Sequence, residues 1–376
     1  MVQHADTILS VETNDVPTLI DYVRHHHTQS HFDGILTVCD YYIDTVVDVA
    51  EALALPSPFS TQVKTARLKH RMRAALDRSG LPNPAYRITH TWEDTCQAAA
   101  EIGYPLVIKP SDLASSAYVR CVRGEDELRE AFEALNAFPL NFRQQPREQL
   151  YLLEAYMAGE EVSVEACTVA GQTTIVGITD KRTTGFPFFI EDGHMFPADL
   201  DSTTTTAICE LTCAALHAVG YDHGISHTEV KLTPHGPRIV EINPRPGGNY
   251  ICELVQRVTG IDLLAAMVRL ALGEEPNLHS IPTGNASAAV QFIIPTRTGY
   301  VTGLHGTERL AATPGVVRWE LHPVVGSSVA TPIDNACYLG HVVTVDPRGF
   351  GARQRAEQAA QAIELEFADS VAAIQE

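Results

Sequence analysis

The stretch Glu229-Val-Lys-Leu-Thr-Pro-His-Gly-Pro-Arg-Ile-Val-Glu-Ile-Asn-Pro-Arg-Pro-Gly-Gly248 leaves this chain the fewest choices. Two runs rich in Val and Ile flank Pro234, His235 and Gly236, the pattern of a β-hairpin with those residues as its loop. Thr233 then pairs with Pro237, Lys231 with Ile239, and Glu229 with Glu241. Carboxylates facing each other on adjacent strands repel by roughly 0.2–1 kcal/mol. A bound divalent cation removes the conflict. Asn243 shares the face of Glu241 and adds a neutral oxygen. Hard oxygen ligands, with room left for water and phosphate, suit Mg²⁺ rather than Zn²⁺. Arg245 follows, held between Pro244 and Pro246, and Gly247-Gly248 lets a ligand approach the backbone closely. The same residues also fit a surface hairpin whose two carboxylates are solvated.

A chain of 376 residues has room for two or three domains and a large core. Its 27 basic against 46 acidic residues give a formal charge of −19, which repels nucleic acid and anionic membranes. The eight cysteines include no CxxC pair, so buried thiols in a reducing, cytoplasmic setting are expected. No signal segment opens the chain, and no apolar run reaches spanning length. His25, His26, His27 and His31 are read as a polar helix end or loop rather than a metal site.

Residues 34–39 read as a buried strand and 42–55 as a helix. Together they form one β–α unit of an open α/β domain that lacks a first βα pair. Ser60 is placed to cap a helix running to Arg78, with Leu68, Met72 and Leu76 inward. Lys64, Arg67, Lys69, Arg71 and Arg73 make this helix locally basic, mostly as a solvated face. Leu106-Val-Ile-Lys109 and Tyr118-Val-Arg-Cys-Val122 read as strands around the small-residue loop Ser111–Ala117. Backbone N–H groups, Ser115, Ser116 and Lys109 could cradle phosphate there, although a plain hairpin gives the same pattern. Tyr151–Glu154 and Glu161–Thr168 read as strands, with Glu161, Ser163 and Glu165 on one face, and residues 173–179 return antiparallel. Residues 183–198 read as a loop holding Phe186, Phe188, Phe189, Glu191, Asp192 and His194. Its phenylalanines either line a pocket or simply pack. Helices are expected at 203–219, 250–258 and 262–272. Short strands begin at Ala288, Val316 and His341, and a terminal helix covers 351–364.

The order of these pieces resembles the ATP-grasp ligases, and among them the carboxylate–amine ligases of the L-amino acid ligase and carnosine synthase type. The resemblance runs over about residues 34–365 and includes Phe292-Ile-Ile-Pro295 and Pro314-Gly-Val316. It implies an α/β and α+β multidomain chain with the ATP-grasp fold. The expected parts are a shortened N-terminal open α/β domain (1–87), a lid subdomain (88–155), a core with the metal and substrate site (156–284) and a C-terminal α+β domain (285–376). By the same resemblance Lys69 and Lys109 serve the nucleotide, Lys109 at the α- and β-phosphates. Ser115 and Ser116 belong to the phosphate loop, Glu154, Ala155 and Tyr156 to the hinge beside adenine, and Glu161 to the ribose. Glu229, Glu241 and Asn243 are the implied metal ligands, and Arg245 stands by the transferred phosphate and acyl group. Lys181 and His194 lie where the family lines the phosphate and substrate space. Ala114 and Ala117 replace glycines common in that loop. The shortened first domain leaves a wall of the acceptor pocket thin, which a homodimer would cover.

The implied activity uses ATP and Mg²⁺, or Mn²⁺ in its place, to join a small carboxylate to an amine through an acyl phosphate. Glu191, Asp192 and His194 are the candidate bases. A bicarbonate-phosphorylating, carboxylase-type enzyme and a non-catalytic ATP-binding regulatory module are the competing readings. Neither nucleic acid nor membrane is an expected partner.

Overall fold

Helices alone build the first part of the chain: α1 (Val16–Gln29), α2 (Ile43–Leu53), α3 (Val63–Arg67) and α4 (Lys69–Arg78). The structure, a computed structural model, describes residues 5–368. α1, which the sequence reading lacks, is capped by Asp15, whose carboxylate accepts from the Thr18 amide. Its last turn holds His26 and His27, so the histidine cluster ends a helix. Among the described residues no group of three or more His, Cys, Asp or Glu stands ready to hold a metal.

The expected strand at 34–39 is not formed, and this region is helical rather than open α/β. A strand needs a partner for its backbone groups, and among the described residues none pairs with this segment. Instead Gly34 abuts the helix that ends at Ala271, where an added Cβ would stand 1.8 Å from the carbonyl oxygen. The long helix expected from Ser60 is broken: Leu68 is extended, with ψ at 110°, between α3 and α4. The break starts a fresh helix at Lys69, whose amide donates to the Ser111 carbonyl at 3.1 Å.

A small unit follows: β1 (Tyr86–Thr89), α5 (Trp92–Ile102), β2 (Leu106–Pro110), β3 (Arg120–Val122), α6 (Glu125–Asn136) and β4 (Tyr151–Ala155). Its strands form an antiparallel sheet in the order β1-β4-β2-β3. Both helices present an apolar stripe to it. Ala98 and Ala99 from α5, and Leu128 and Leu135 from α6, pack on Leu106, Ile108 and Leu153. Each fully buried leucine or isoleucine contributes about 1.5–3 kcal/mol.

The larger unit comprises β5 (Glu160–Val169), β6 (Gln172–Thr183), β7 (Glu191–Phe196), α7 (Ser202–Ala218), β8 (Gly224–Thr233), β9 (Gly236–Asn243), α8 (Ile251–Thr259) and α9 (Leu263–Ala271). The chain ends with β10 (Ser287–Ile293), β11 (Gly299–His305), α10 (Thr307–Ala312), β12 (Val316–Leu321), β13 (Ser328–Val329), β14 (Gly340–Asp346), α11 (Ala352–Ala360) and β15 (Glu364–Phe367). One eight-stranded sheet runs β12-β14-β10-β7-β6-β5-β8-β9, so β10 continues the core sheet across residue 284. β11, β13 and β15 make a separate three-stranded sheet.

Two sequence expectations change here. Residues 191–196 are a strand, not part of a loop. Their Glu-Asp-Gly-His-Met-Phe order hides the alternation, but β6 and β10 pair with them from either side. The terminal helix stops at Ala360, and the chain returns as β15 beside β11. Among the described residues no helix is long and apolar enough to cross a membrane.

Candidate active site

The β8–β9 hairpin turns more tightly than its sequence suggests. Thr233 pairs with Gly236, Leu232 with Pro237, Lys231 with Arg238 and Val230 with Ile239. The loop therefore holds two residues rather than three. A bulge then takes up Val240, and the register returns to Glu229 opposite Glu241 and His227 opposite Asn243. The two carboxylates face each other as expected, although the ladder beyond them is shifted by one residue. The Asn243 amide nitrogen donates to Glu241 Oε1 at 2.9 Å, which fixes the side chain beside its neighbour.

Lys69, Lys109, Lys181 and Arg245 are each matched by a protein carboxylate. Lys69 Nζ lies 2.8 Å from Glu241 Oε2 and donates to the Leu113 carbonyl. Lys109 Nζ lies 2.8 Å from Glu154 Oε2. Lys181, 4% exposed, reaches Glu161 at 3.2 Å, Glu191 at 2.9 Å, and Glu229. Arg245 Nε bonds Asp40 Oδ1 at 2.6 Å. Burial by itself pushes the Glu229 carboxyl up, but Lys181 and His227 outweigh it and hold the group below the usual carboxylate range. For Lys181, burial favours the neutral amine, yet Glu191, Glu229 and Glu161 keep it charged well above its ordinary value. His227 is pushed down by burial, but Glu165 and Glu229 together pull it up to about 9.

Glu154 shows the balance most plainly. Burial pushes its carboxyl up, while Arg73 and then Lys109 bring it down to about 2, from an ordinary 4.5. The stability this carboxylate contributes is therefore complete above 4.5 and is lost as pH falls through about 2. A shift of that size corresponds to about 3 kcal/mol. Denaturant titrations at pH 6 and pH 3 should show wild type losing stability more steeply than Glu154→Gln, which lacks this titrating group. Equal slopes would contradict the assignment.

Two adjoining cavities meet at the hairpin. Lys69, Lys109 and Ser116 line the first, with Glu154, Ala155, Tyr156, Glu161, Glu229 and Glu241. Ser115, Asn243 and Arg245 line the second, with Asn249 and Asn335. Ser116, Glu191, Glu229 and Glu241 belong to both walls. Lys181 lines neither cavity and meets Glu191 and Glu229 of this shared wall and Glu161 of the first cavity. His194 is 1% exposed, packed behind Glu191 and against Phe292, and lines neither cavity. Its Nε2 lies 3.3 Å from Glu191 Oε2, while Nδ1 has no hydrogen-bond partner among the described residues. Asp192 is tied to Arg182 at 2.7 Å.

The hinge differs in detail from its expected use. The Glu154 side chain is turned inward, and the Ala155 and Tyr156 amides donate to the Ala85 and Pro105 carbonyls. Met157, next in the chain, also lines the first cavity. Phe189 stacks at 6.1 Å on Tyr156 and faces that cavity, whereas Phe186 packs under the Arg123 guanidinium of the small unit. Ser115, Ser116 and Tyr118 have φ of +61°, +56° and +59°, left-handed values that cost a non-glycine residue roughly 1–2 kcal/mol each. The loop between β2 and β3 is thus held in a strained form without the glycines that would relax it.

Sequence reasoning missed Arg73, Asp40 and His227. The signal for Arg73 was its spacing of four from Lys69 on one helix face. Arg73 is fully buried and Lys69 is 7% exposed, so neither lies on a solvated basic face. Asp40 sits more than 200 residues from Arg245 in sequence, and nothing local announces the pair.

Glu229, Glu241 and the Asn243 amide oxygen suit a hard divalent ion that takes its remaining ligands from phosphate and water. Lys181 and Lys69 hold those carboxylates in the present conformation.

Residues 102–253 match the family model for the ATP-grasp domain, and residues 291–368 match that for L-amino acid ligase C-terminal domain 2. The chain is 28% identical over 264 residues to the alanine–anticapsin ligase of Bacillus amyloliquefaciens, covering 65% of this chain and 55% of that protein. It is 33% identical over 164 residues to carnosine synthase 1 of Gallus gallus, covering 42% of this chain and 18% of that one. It thus spans about half the length of the first relative and less than a fifth of the second. The crystal structure of an L-amino acid ligase from Bacillus licheniformis superposes with a TM-score of 0.78 over 94% of this chain and 86% of that one, at 24% identity, and so shares the fold. The chain thus contains an ATP-grasp domain over residues 102–253 and a C-terminal domain of the L-amino acid ligase type over residues 291–368.

Proposed function

We propose that this chain joins a small carboxylic acid to an amine, using ATP and passing through an acyl phosphate. The observation that carries the proposal is the shared wall: Glu229 and Glu241 face each other where the two cavities meet. The first cavity offers Tyr156, Met157 and Phe189 for a nucleobase, Glu161 for ribose hydroxyls, and Lys69 and Lys109 for phosphates. The second offers Arg245 and Ser115 to the acid. Lys181 keeps Glu191 and Glu229 ionised and fixed. A divalent ion held by Glu229, Glu241 and Asn243 would supply charge neutralisation to the triphosphate.

A carboxylate oxygen of the acid bonds to the γ-phosphorus while the bond to the β,γ-bridging oxygen breaks, giving ADP and an acyl phosphate. The amine nitrogen then bonds to the acyl carbon, phosphate leaves, and the nitrogen gives up a proton. Of the three candidate bases, only Glu191 lines both cavities. Burial pushes its carboxyl up, but Lys181 and His194 hold it far down, so it is a weak proton acceptor and a ready counter-ion for an ammonium group. Water exclusion protects the acyl phosphate, and the strained 115–118 loop is suited to cover it.

ADP release should require an organic acid and an amine together, with an amide formed in equal amount, when pairs of amino acids are screened by coupled assay and mass spectrometry. Release driven by bicarbonate alone would contradict the proposal. So would nucleotide binding with no ADP from any pair.

A further inference from the structure

Arg73 joins three elements on which the site depends. It lies one turn beyond Lys69 on α4, so both side chains leave the same face. Its guanidinium grips Glu154 of β4 twice, Nε to Oε1 at 2.6 Å and Nη2 to Oε2 at 3.1 Å. It also donates to the carbonyls of Ile239 at 2.7 Å and Val240 at 3.1 Å, at the bulge just before Glu241. Arg73 is 0% exposed and Glu154 2%. Glu154 Oε2 also meets Lys109 Nζ at 2.8 Å. One buried carboxylate therefore serves two cations, of which only Lys109 lines the cavity.

We infer that Arg73 is a positioning residue that shares Glu154 and so leaves Lys109 free to turn from it to a nucleotide phosphate. The inference rests on the nucleotide reading of the first cavity. A carboxylate held by a guanidinium fork has much of its accepting capacity committed. With Arg73 in place, Glu154 keeps a charged partner when Lys109 departs. Without Arg73, that departure strands a buried carboxylate, which opposes it strongly. The bonds to the bulge carbonyls keep the fork fixed during the exchange, and they tie it to the strand that carries Glu241. Three charges in place of a simple pair make the lysine exchangeable without making the carboxylate unsatisfied.

The test is direct binding of Mg²⁺–ADP to the full chain by calorimetry. Lys109→Met checks the underlying reading: wild-type affinity in that variant would remove the nucleotide assignment itself. With that control showing lost binding, Arg73→Met should raise Kd about tenfold, the size of an ordinary coupling between neighbouring charges. Adding Glu154→Gln to Arg73→Met should recover most of that loss, because nothing then holds Lys109 back. An unchanged Kd in Arg73→Met, or a double variant no better than the single one, overturns the inference and leaves the nucleotide reading standing. Should Arg73→Met not fold, the charge-balanced double variant is compared with Glu154→Gln alone. The two should bind alike, since Arg73 then has no carboxylate to share, and a double variant weaker by about threefold or more overturns the inference.

Discussion

Arg245→Ala should bind nucleotide near the wild-type level while turnover falls on the order of 10²–10³-fold, the range for removing one fixed stabiliser of developing charge. Arg245 lines the second cavity and not the first. Its Nε is committed to Asp40, and Nη1 donates to the Pro246 carbonyl at 2.9 Å, so the guanidinium is oriented before substrate arrives. Burial works against its charge, but Asp40, with Glu241 and Glu229, outweighs burial and raises the group above its ordinary value. The cation is therefore permanent, rigid and partly desolvated, which is where a charge acts most strongly on a transferring phosphoryl group. Arg245→Lys should recover little, because a compact ammonium cannot bond Asp40 and present a second edge to the acid at the same time. Parallel measurement of nucleotide Kd and ADP release checks this. Unchanged turnover would take Arg245 out of the mechanism.

Lys181→Met should cost about 3–5 kcal/mol of stability, the range for removing one partner of a buried ionic cluster. Glu161, Glu191 and Glu229 all rely on this ammonium. Lys231 at 3.2 Å remains beside Glu161, and His227 at 3.4 Å beside Glu229. Among the described residues Glu191 keeps only His194 at 3.3 Å and the Asn249 amide. Its carboxyl should therefore rise most, and the variant should lose stability further as pH increases and Glu191 is forced to ionise. Added Mg²⁺ should return part of the loss by taking the place of the missing cation. Urea titrations at pH 6 and 8, with and without Mg²⁺, measure both effects. A loss under about 1 kcal/mol would mean that the three carboxylates do not depend on Lys181.

The hairpin carboxylates were legible because alternation fixes which residues share a face, and the bulge at Val240 restored the register that the tighter turn had shifted. α5 was legible because Thr91 caps its start and Gly103 ends it. β7 was not, because a central strand is defined by its neighbours, and those come from β6 and from β10 almost a hundred residues later. The strand expected at 34–39 failed for the converse reason: local propensity was present, and a partner was not. Lys69, Lys109 and Glu229 were identified by type and order along the chain. The counter-ions were not: Glu241, Glu154 and Lys181 reach these three across the fold, as Asp40 reaches Arg245. His194 illustrates the limit of motif position: it stands next to the right residues in sequence and behind them in space.

The ion bridge is tested most directly by electron paramagnetic resonance of Mn²⁺ binding in the presence of ADP, for wild type and for Glu241→Gln. Wild type should take up Mn²⁺ far more tightly with nucleotide than without it, because two carboxylates and an amide leave the remaining ligand positions to phosphate and water. Glu241→Gln should lose most of that nucleotide-dependent uptake. Equal Mn²⁺ affinity in the two proteins, with ADP bound to both, would contradict the assignment of the opposed glutamates as the seat of the ion.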